Sequence, residues 1–384
     1  MAEALPYWRL SSFYFFYFAI VGVLVPYWAP YLKSLGFSAA QIGELLAITN
    51  LSRIVAPSVW GALADRLGQR MRVVRAASLV ALVAFLGVFL GSSYGWLAAV
   101  MLVFTFFWNA ALPQYEANTL NHLWPAEHRY SRIRLWGSVG FIVAVVAVGW
   151  LVDRLGVGLV PYAMAVLFGA VWLSALWTPE REGLFGQGAA SEGFWQALRG
   201  AGVPGFFLAC FFIQLSHGPY YAFFSIYLQE RGYSWELIGP LWALGVVAEI
   251  GVFLVIHRWL PVYGARRLLT AAFVLAALRW LLIGALPEVL ALLVFAQLLH
   301  AASFGVYHAV GIATVNRIFR GRAQGRGQAL YSMTYGLGVS LGSLLSGYLW
   351  LDLGGMWVFV LAALAALASA WMAQSSMRQL QAAD

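Results

Sequence analysis

The sequence predicts an all-α membrane protein with twelve transmembrane helices in two six-helix halves that repeat in parallel. Three observations lead to this fold class: an apolar composition, twelve apolar windows of spanning length, and an internal repeat. The 384 residues are 62% hydrophobic and 10% charged, whereas a soluble domain is about half apolar and about a quarter charged. A soluble core needs no such excess, so the composition indicates that lipid is the solvent.

The apolar windows set the number of predicted spans. A transmembrane helix needs about 20 predominantly apolar residues, and windows of this length recur twelve times along the chain. An even number of spans places both termini on one side of the membrane. We place the spans near residues 10–32, 39–63, 73–92, 95–120, 133–152, 158–177, 204–228, 236–258, 267–286, 289–315, 327–350 and 355–374.

The basic residues indicate which side holds the termini. Of the 23 lysines and arginines, all but five fall on the terminal side, if Arg134 is counted with its loop. The opposite side carries Lys33, Arg154 and Arg231, and two arginines lie within spans. Cytoplasmic loops are enriched in Lys and Arg, so both termini are predicted to be cytoplasmic. Topology thereby accounts for the net charge of +8, and we expect no nucleic-acid partner.

An internal repeat of about 196 residues relates the two halves. YLKSLGFSAAQIG (Tyr31–Gly43) and YLQERGYSWELIG (Tyr227–Gly239) share six identities, and GWLVDRLG (Gly149–Gly156) echoes GYLWLDLGG (Gly347–Gly355) at nearly the same offset. Both echoes occupy matching ends of matching spans. The predicted halves are residues 1–178 and 204–384, joined by a cytoplasmic linker over 179–203. Two parallel six-span halves around a central site describe a major facilitator architecture.

A loop motif agrees with this architecture. GALADRLGQR lies between the second and third spans on the predicted cytoplasmic side. It resembles the signature loop of the major facilitator superfamily, with Gln69 in place of a basic residue. Glycine permits a tight turn and close helix approach, and an aspartate can cap a helix end or pair with an arginine. The residues assigned to the signature loop are Gly61, Asp65, Arg66, Gly68 and Arg70.

Charged residues within the spans of the first half predict a substrate site. Each ionised group at a span centre costs ~2.5–3.5 kcal/mol, so Arg53, Glu116 and Arg134 must pair, face water or lose their charge. A short connection makes the fourth and fifth spans antiparallel neighbours, so Glu116 and Arg134 are expected to meet. A carboxylate and a guanidinium facing a cavity can bind hydroxyls or an anion. The alternative is a purely structural ion pair.

A second set of ionisable residues lies in the eighth, ninth and tenth spans. Glu249, Arg279, His300 and His308 come from consecutive spans, and the two histidines, eight residues apart, can line one cavity at two depths. Histidine titrates near physiological pH, and an arginine can hold a deprotonated glutamate until it is protonated. This is the chemistry of proton coupling. The alternative is that the histidines are satisfied packing residues.

This disposition is similar to that of the proton-linked sugar permeases of the lactose-permease type. Those permeases carry a Glu and an Arg in spans four and five for sugar, and Glu, Arg and His in spans eight to ten. This chain departs from them at Ser303, where they place the proton-carrying Glu, and at Phe141, where they have a substrate-stacking Trp. The proton carrier is therefore open between Glu249 and a histidine.

The sequence resembles the 3-phenylpropionate permease branch of the superfamily more closely, over nearly the whole chain. RLWGSVGF from Arg134, SHGPYYAFFSIYLQ from Ser216, GPLWALGVVAE up to Glu249 and the His300/His308 pair carry the resemblance. Arg53 and His217 also fit this branch. The resemblance implies proton symport of an aromatic carboxylate, with Arg53 or Arg134 holding the carboxylate. The candidate substrate contacts are His217 and three aromatic residues on walls near proline bends, Tyr27, Trp108 and Tyr220.

The leading hypothesis is a proton-coupled importer, in a bacterial cytoplasmic (inner) membrane, of a small organic solute such as 3-phenylpropionate. The alternative is a proton-coupled sugar, oligosaccharide or nucleoside symporter. Efflux exporters of this superfamily carry a Gly-Pro motif that the fifth span, GSVGFIVAVVAVGW, lacks. The sequence contains no nucleophile elbow and no phosphate loop, so we do not expect an enzyme. No cofactor or metal is expected either. The predicted partners are the substrate, protons and the lipid bilayer, and the chain is expected to be a monomer.

Overall fold

The computed structural model describes residues 5–181, 193–320 and 323–382, and every regular secondary-structure element in these ranges is helical. Residues 182–192 of the predicted linker, 179–203, lie outside the described residues. The predicted all-helical class is confirmed. The helices are α1 Tyr7–Ser34, α2 Ala39–Leu67, α3 Arg70–Leu86, α4 Tyr94–Leu123, α5 Tyr130–Leu155, α6 Val160–Trp177, α7 Phe194–Leu198, α8 Val203–Glu230, α9 Trp235–Ala285, α10 Leu290–Leu298, α11 Tyr307–Ile318 and α12 Gln324–Ala382.

Within the described ranges, eight helical stretches are long and apolar enough to cross a membrane. Two of them, α9 with 51 residues and α12 with 59, are interrupted by one glycine each. Gly264 (φ 74°, ψ 154°) and Gly354 (φ 78°, ψ 160°) adopt backbone angles that a helix does not contain. Residues with a side chain rarely adopt positive φ, so glycine is needed at both bends.

The repeated sequence segments coincide with repeated turns. Gly36 and Gly232, which follow α1 and α8 in the first echo, have φ of 89° and 84°. Gly156 and Gly354, which close the second echo, have φ of 83° and 78°. The residues that recur in the two halves are therefore in part those that the turn geometry requires.

The residues group into two compact units, and Met1–Gly186 with Ser234–Pro240 forms unit 1. In unit 1, α1 packs on α5 and α6, α3 packs on α4 and α6, and α2 packs on α4. Glycines let α1 and α5 approach closely, because an added Cβ at Gly22 would lie 2.6 Å from the Phe141 carbonyl oxygen. This tight contact fixes where α5 presents Arg134.

Unit 2 comprises Gln187–Tyr233 and Leu241–Asp384. Its most extensive helix pair is α8 with α12, which touch where Gly218 on α8 lies against Gly342 on α12. Between α10 and α11 the chain forms a π-helical segment, Ala301–Val306. A π-helical turn often marks a functional site within a helix, and here it directly follows His300.

Candidate functional site

Unit 1 brings Glu116 of α4 and Arg134 of α5 together, as their antiparallel arrangement leads one to expect. Arg134 Nε lies 4.0 Å from Glu116 Oε1, with the side chains 33% and 36% exposed. The Tyr130 hydroxyl donates a hydrogen bond of 3.0 Å to the same carboxylate oxygen. The Glu116 carboxylate is therefore held by both Arg134 and Tyr130, while part of each side chain of the ion pair remains exposed.

The Arg134 guanidinium is also held by aromatic rings. It lies 3.8 Å from the centroid of Phe18 and 5.9 Å from that of Tyr14, distances at which a cation is attracted to a ring face. Gly137 makes room for it, since an added Cβ there would lie 2.6 Å from Arg134 Nη1. The RLWG sequence near the start of α5, Arg134–Gly137, thus supplies both the charge and the space it occupies.

Arg53 of α2 differs from Arg134 in having no such partner. Among the described residues, the half-buried Arg53 side chain makes no hydrogen bond or ion pair. Its charge acts on the Tyr17 hydroxyl, which also interacts with Glu116 and Arg134. Tyr17 is therefore within electrostatic range of Arg53, Glu116 and Arg134, which are two guanidinium groups and one carboxylate.

An aromatic stack adjoins these charges. Tyr17 stacks on Trp108 with ring centroids 4.9 Å apart and an interplanar angle of 27°. Trp108 is 2% exposed, and its indole nitrogen has no hydrogen-bond partner in the described part of the chain. Tyr27, about 15 Å further along α1, is not brought to this cluster. Its hydroxyl donates 2.6 Å to the Val145 carbonyl and ties α1 to α5.

Unit 2 brings Arg279, His300 and Glu249 together. Arg279 is fully buried, and its Nη1 lies 2.9 Å from His300 Nδ1. The other hydrogen bonds of Arg279 run to Ser303 Oγ at 3.2 Å and to Gln297 Oε1 at 3.2 Å. On the far side of the imidazole, His300 Nε2 lies 3.7 Å from Glu249 Oε2. An imidazole thus bridges a guanidinium and a carboxylate.

The contact with Arg279 determines the role of each nitrogen of His300. A guanidinium can only donate hydrogen bonds, so His300 Nδ1 must accept. The hydrogen of a neutral imidazole then sits on Nε2 and points toward Glu249. Protonating His300 on Nδ1 would oppose two donors 2.9 Å apart. The contact with Arg279 therefore opposes protonation of His300 on Nδ1 and leaves the Glu249 carboxylate beside the Nε2 hydrogen.

Two glycines allow this approach of α9 to the π-helical segment. An added Cβ at Gly245 would lie 3.2–3.3 Å from the His300 ring, and one at Gly305 would lie 3.3 Å from Glu249 Cγ. Each glycine thus faces an ionisable side chain of the other element. Small residues at helix contacts let backbones approach closely, which here places Glu249 beside His300.

The remaining candidates of unit 2 surround this cluster. The ring centroid of Tyr220 lies 4.1 Å from Arg279 Cζ. The Tyr220 hydroxyl donates a hydrogen bond of 2.8 Å to Gln297 Oε1. His217 is fully buried, and its Nδ1 contacts the Ile213 carbonyl oxygen at 2.8 Å. His308 shares a column of rings with His300, since Phe304 stacks on both, at 5.3 and 5.6 Å.

The signature loop joins α2 to α3 and α4. Gly68 ends α2 with φ of 66°, and Arg70 Nη1 donates 2.7 Å to Gln114 Oε1 on α4. An added Cβ at Gly61 would meet the same Gln114 amide at 3.7 Å. Arg66 is exposed, and the expected pairing of Asp65 lies outside the described side chains.

Sequence reasoning missed Tyr17, Tyr130 and Gln297, which connect the charged residues. The chain contains 18 tyrosines, so an aromatic residue in an apolar run carries no distinguishing signal. Gln297 is fully buried, and a lone amide three residues before His300 could have been noticed as a partner for Arg279.

Comparison with known proteins identifies the family. The sequence profile of the MFS_1 like family matches residues 7–361. The chain belongs to this family. It is 32% identical, over 375 residues, to the probable 3-phenylpropionic acid transporter of Escherichia coli (strain K12), covering 93% of this chain and 95% of that protein. It is 29% identical to the maltose permease of Geobacillus stearothermophilus, covering 90% and 89%. Both resemblances to transporter families are thereby confirmed.

Solved structures support the same fold. The nucleoside transporter NupG superposes with a TM-score of 0.84 at 19% identity, covering 98% of this chain and 99% of that one. The transporter PepTSo of the POT family superposes with a TM-score of 0.76 at 13% identity, covering 100% and 99%. The MFS_1 like chain is an integral membrane transporter of the major facilitator type, and not an enzyme.

Proposed function

We propose that the chain imports an aromatic carboxylate such as 3-phenylpropionate together with protons, by alternating access, across a bacterial cytoplasmic membrane. The observation that carries this proposal is the surplus positive charge around Tyr17. Arg53 and Arg134 supply two guanidinium groups, and Glu116 supplies one carboxylate. A monoanionic substrate would neutralise the surplus, whereas a sugar would leave a guanidinium unpaired in an apolar surrounding, which is costly.

The contacts of Arg53 and Arg134 indicate different roles for the two arginines. Arg134 is engaged by Glu116 and by the Phe18 ring, and Arg53 has no comparable partner within the described residues. A guanidinium binds a carboxylate with two parallel hydrogen bonds. We therefore assign the substrate carboxylate to Arg53 and a positioning role to the Glu116–Arg134 pair.

The aromatic part of the substrate would lie against Tyr17 and Trp108. Their stacked rings adjoin the charged groups, and a phenyl ring gains from offset stacking in addition to area burial. The name of the 32% identical Escherichia coli relative, a probable 3-phenylpropionic acid transporter, agrees with this chemistry.

Proton coupling is assigned to the Glu249–His300–Arg279 cluster. With His300 Nδ1 accepting from Arg279, an added proton goes to Glu249 and removes the charge that holds His300 Nε2. Protonation would thus release one end of a bridge between α9 and the π-helical segment. A local change in charge that biases a packed element is the general form of a proton switch.

We further propose twelve spans with both termini in the cytoplasm. Six of the eight apolar stretches would each form one span. The breaks at Gly264 and Gly354 divide α9 and α12 into two helical segments each, and these four segments would form four more spans. The helices α2 and α8, of 29 and 28 residues, are long enough to span and supply the other two.

The test is uptake of labelled 3-phenylpropionate into right-side-out vesicles, with and without an imposed inward proton gradient. Accumulation that requires the gradient supports the proposal, and a protonophore should abolish it. Vesicles that contain the inserted protein and yet take up no label would contradict the proposed substrate.

A second candidate is proton-coupled transport of a sugar or nucleoside. The Glu116–Arg134 pair is accessible on both members, and such a pair can bind hydroxyl groups. The maltose permease relative and the superposition on NupG agree with this alternative. Inhibition of 3-phenylpropionate uptake by a disaccharide or a nucleoside, or uptake of these in its place, would favour it.

A further inference from the structure

Unit 2 contains a second group of buried polar side chains, separate from the Arg279 cluster. Gln214 of α8 and Tyr307 of α11 are 0% exposed, and Tyr331 of α12 is 3% exposed. Both polar atoms of Gln214 and the hydroxyls of both tyrosines have no hydrogen-bond partner among the described residues. We call Gln214, Tyr307 and Tyr331 the Gln214 site.

The three side chains converge on one another. The Tyr307 hydroxyl is near enough to interact with Gln214, Tyr331 and the Cys210 thiol, although no pair meets hydrogen-bond geometry. The two tyrosine rings lie 6.0 Å apart. Glycines make the space, since an added Cβ would lie 2.6 Å from the Tyr331 hydroxyl at Gly311 and 2.7 Å from Gln214 Cβ at Gly338.

Such a group needs a ligand. A buried polar group without a hydrogen bond costs roughly 1–3 kcal/mol in proteins, and four such atoms come together here. Polar groups that are adjacent but not directly bonded suit a bridging water, which typically makes about three hydrogen bonds. The amide and the two hydroxyls supply both donors and acceptors.

We propose that the Gln214 site binds a buried water molecule, which bridges the Gln214 amide and the hydroxyls of Tyr307 and Tyr331. Water binding at this site does not depend on the transport function proposed above.

Water binding is tested by radiolytic hydroxyl-radical labelling of the purified protein, because radicals form from bound water inside a protein. Tyr307 and Tyr331 should be labelled despite their burial. Tyr27 and Tyr227 are matched controls, with 0% and 2% exposure and hydroxyls that donate to carbonyls at 2.6 and 2.7 Å. Labelling of Tyr307 and Tyr331 no faster than that of the controls would overturn the water site.

Discussion

Arg279 Nη1 lies 2.9 Å from His300 Nδ1, and this contact directs the other nitrogen of the imidazole toward Glu249, 3.7 Å away. Because the guanidinium can only donate, His300 must keep Nδ1 free of hydrogen as long as the contact persists. The relationship joins three ionisable residues into one unit, and the proposed proton coupling assigns the incoming proton to Glu249.

Glu249→Gln is expected to remove gradient-driven accumulation and to preserve exchange. Glutamine resembles the protonated carboxyl in shape but cannot release a proton, so the cluster would be fixed in one state. Accumulation under an inward proton gradient and counterflow at equal pH should be measured on the same vesicles. Full gradient-driven accumulation by this variant would show that another residue carries the proton.

Gly245→Ala is expected to impair transport several-fold. The added methyl would lie 3.2 Å from the His300 ring, which cannot easily yield because Arg279 and the stacked Phe304 hold it. Gly251→Ala on the same helix is the matched control, since an added Cβ there meets nothing within 4 Å.

The control should keep its uptake rate and gain helix stability of about 0.5–1 kcal/mol, the usual advantage of alanine over glycine. Uptake rates and thermal unfolding midpoints of both variants provide the comparison. Equal uptake rates for Gly245→Ala and Gly251→Ala would mean that transport does not depend on the close approach of α9 to His300.

The Glu116–Arg134 pair is expected to behave as a positioning unit in a double-mutant cycle. Arg134→Gln should weaken 3-phenylpropionate binding by roughly tenfold or more, because the released Glu116 carboxylate would then compete for Arg53. Adding Glu116→Gln restores a surplus of one positive charge and should recover most of the affinity. A double variant no better than Arg134→Gln alone would identify Arg134 as a direct ligand, as the sugar alternative requires.

Asn118→Leu is expected to lower the stability of unit 1. The fully buried Asn118 amide donates 3.1 Å to the Pro179 carbonyl and accepts 2.8 Å from the Arg181 amide, tying the segment after α6 to α4. Losing both bonds should cost about 1–2 kcal/mol, since the segment can regain water on one side. The thermal unfolding midpoint in one detergent is the measurement, and the exposed Gln196→Leu should leave it unchanged.

Hydropathy predicted the helical class because lipid imposes helices on an apolar chain. The same physics located Glu116, Arg134, Glu249 and Arg279, since a charge within an apolar run is costly and stands out. Sequence reasoning also expected the meeting of Glu116 with Arg134, because a short connection makes their helices antiparallel neighbours.

The parts that sequence could not supply depend on three-dimensional packing. Tyr17 looks like many other aromatic residues in the sequence, and only the structure shows it within electrostatic range of Arg53, Glu116 and Arg134. The π-helical segment after His300 has no simple sequence signal, and neither does the pairing of Gly245 with His300. Gln214 has polar atoms that no described side chain satisfies, a property that only the packed structure reveals.

The central claim is that Arg53 holds the substrate carboxylate. Equilibrium binding of 3-phenylpropionate and of its neutral amide, 3-phenylpropanamide, to the wild type and to Arg53→Gln tests it most directly. The wild type should prefer the acid, and Arg53→Gln should lose that preference, with the Kd of the acid rising roughly 10- to 100-fold and that of the amide little changed. An Arg53→Gln protein that still binds the acid with wild-type affinity would contradict the claim.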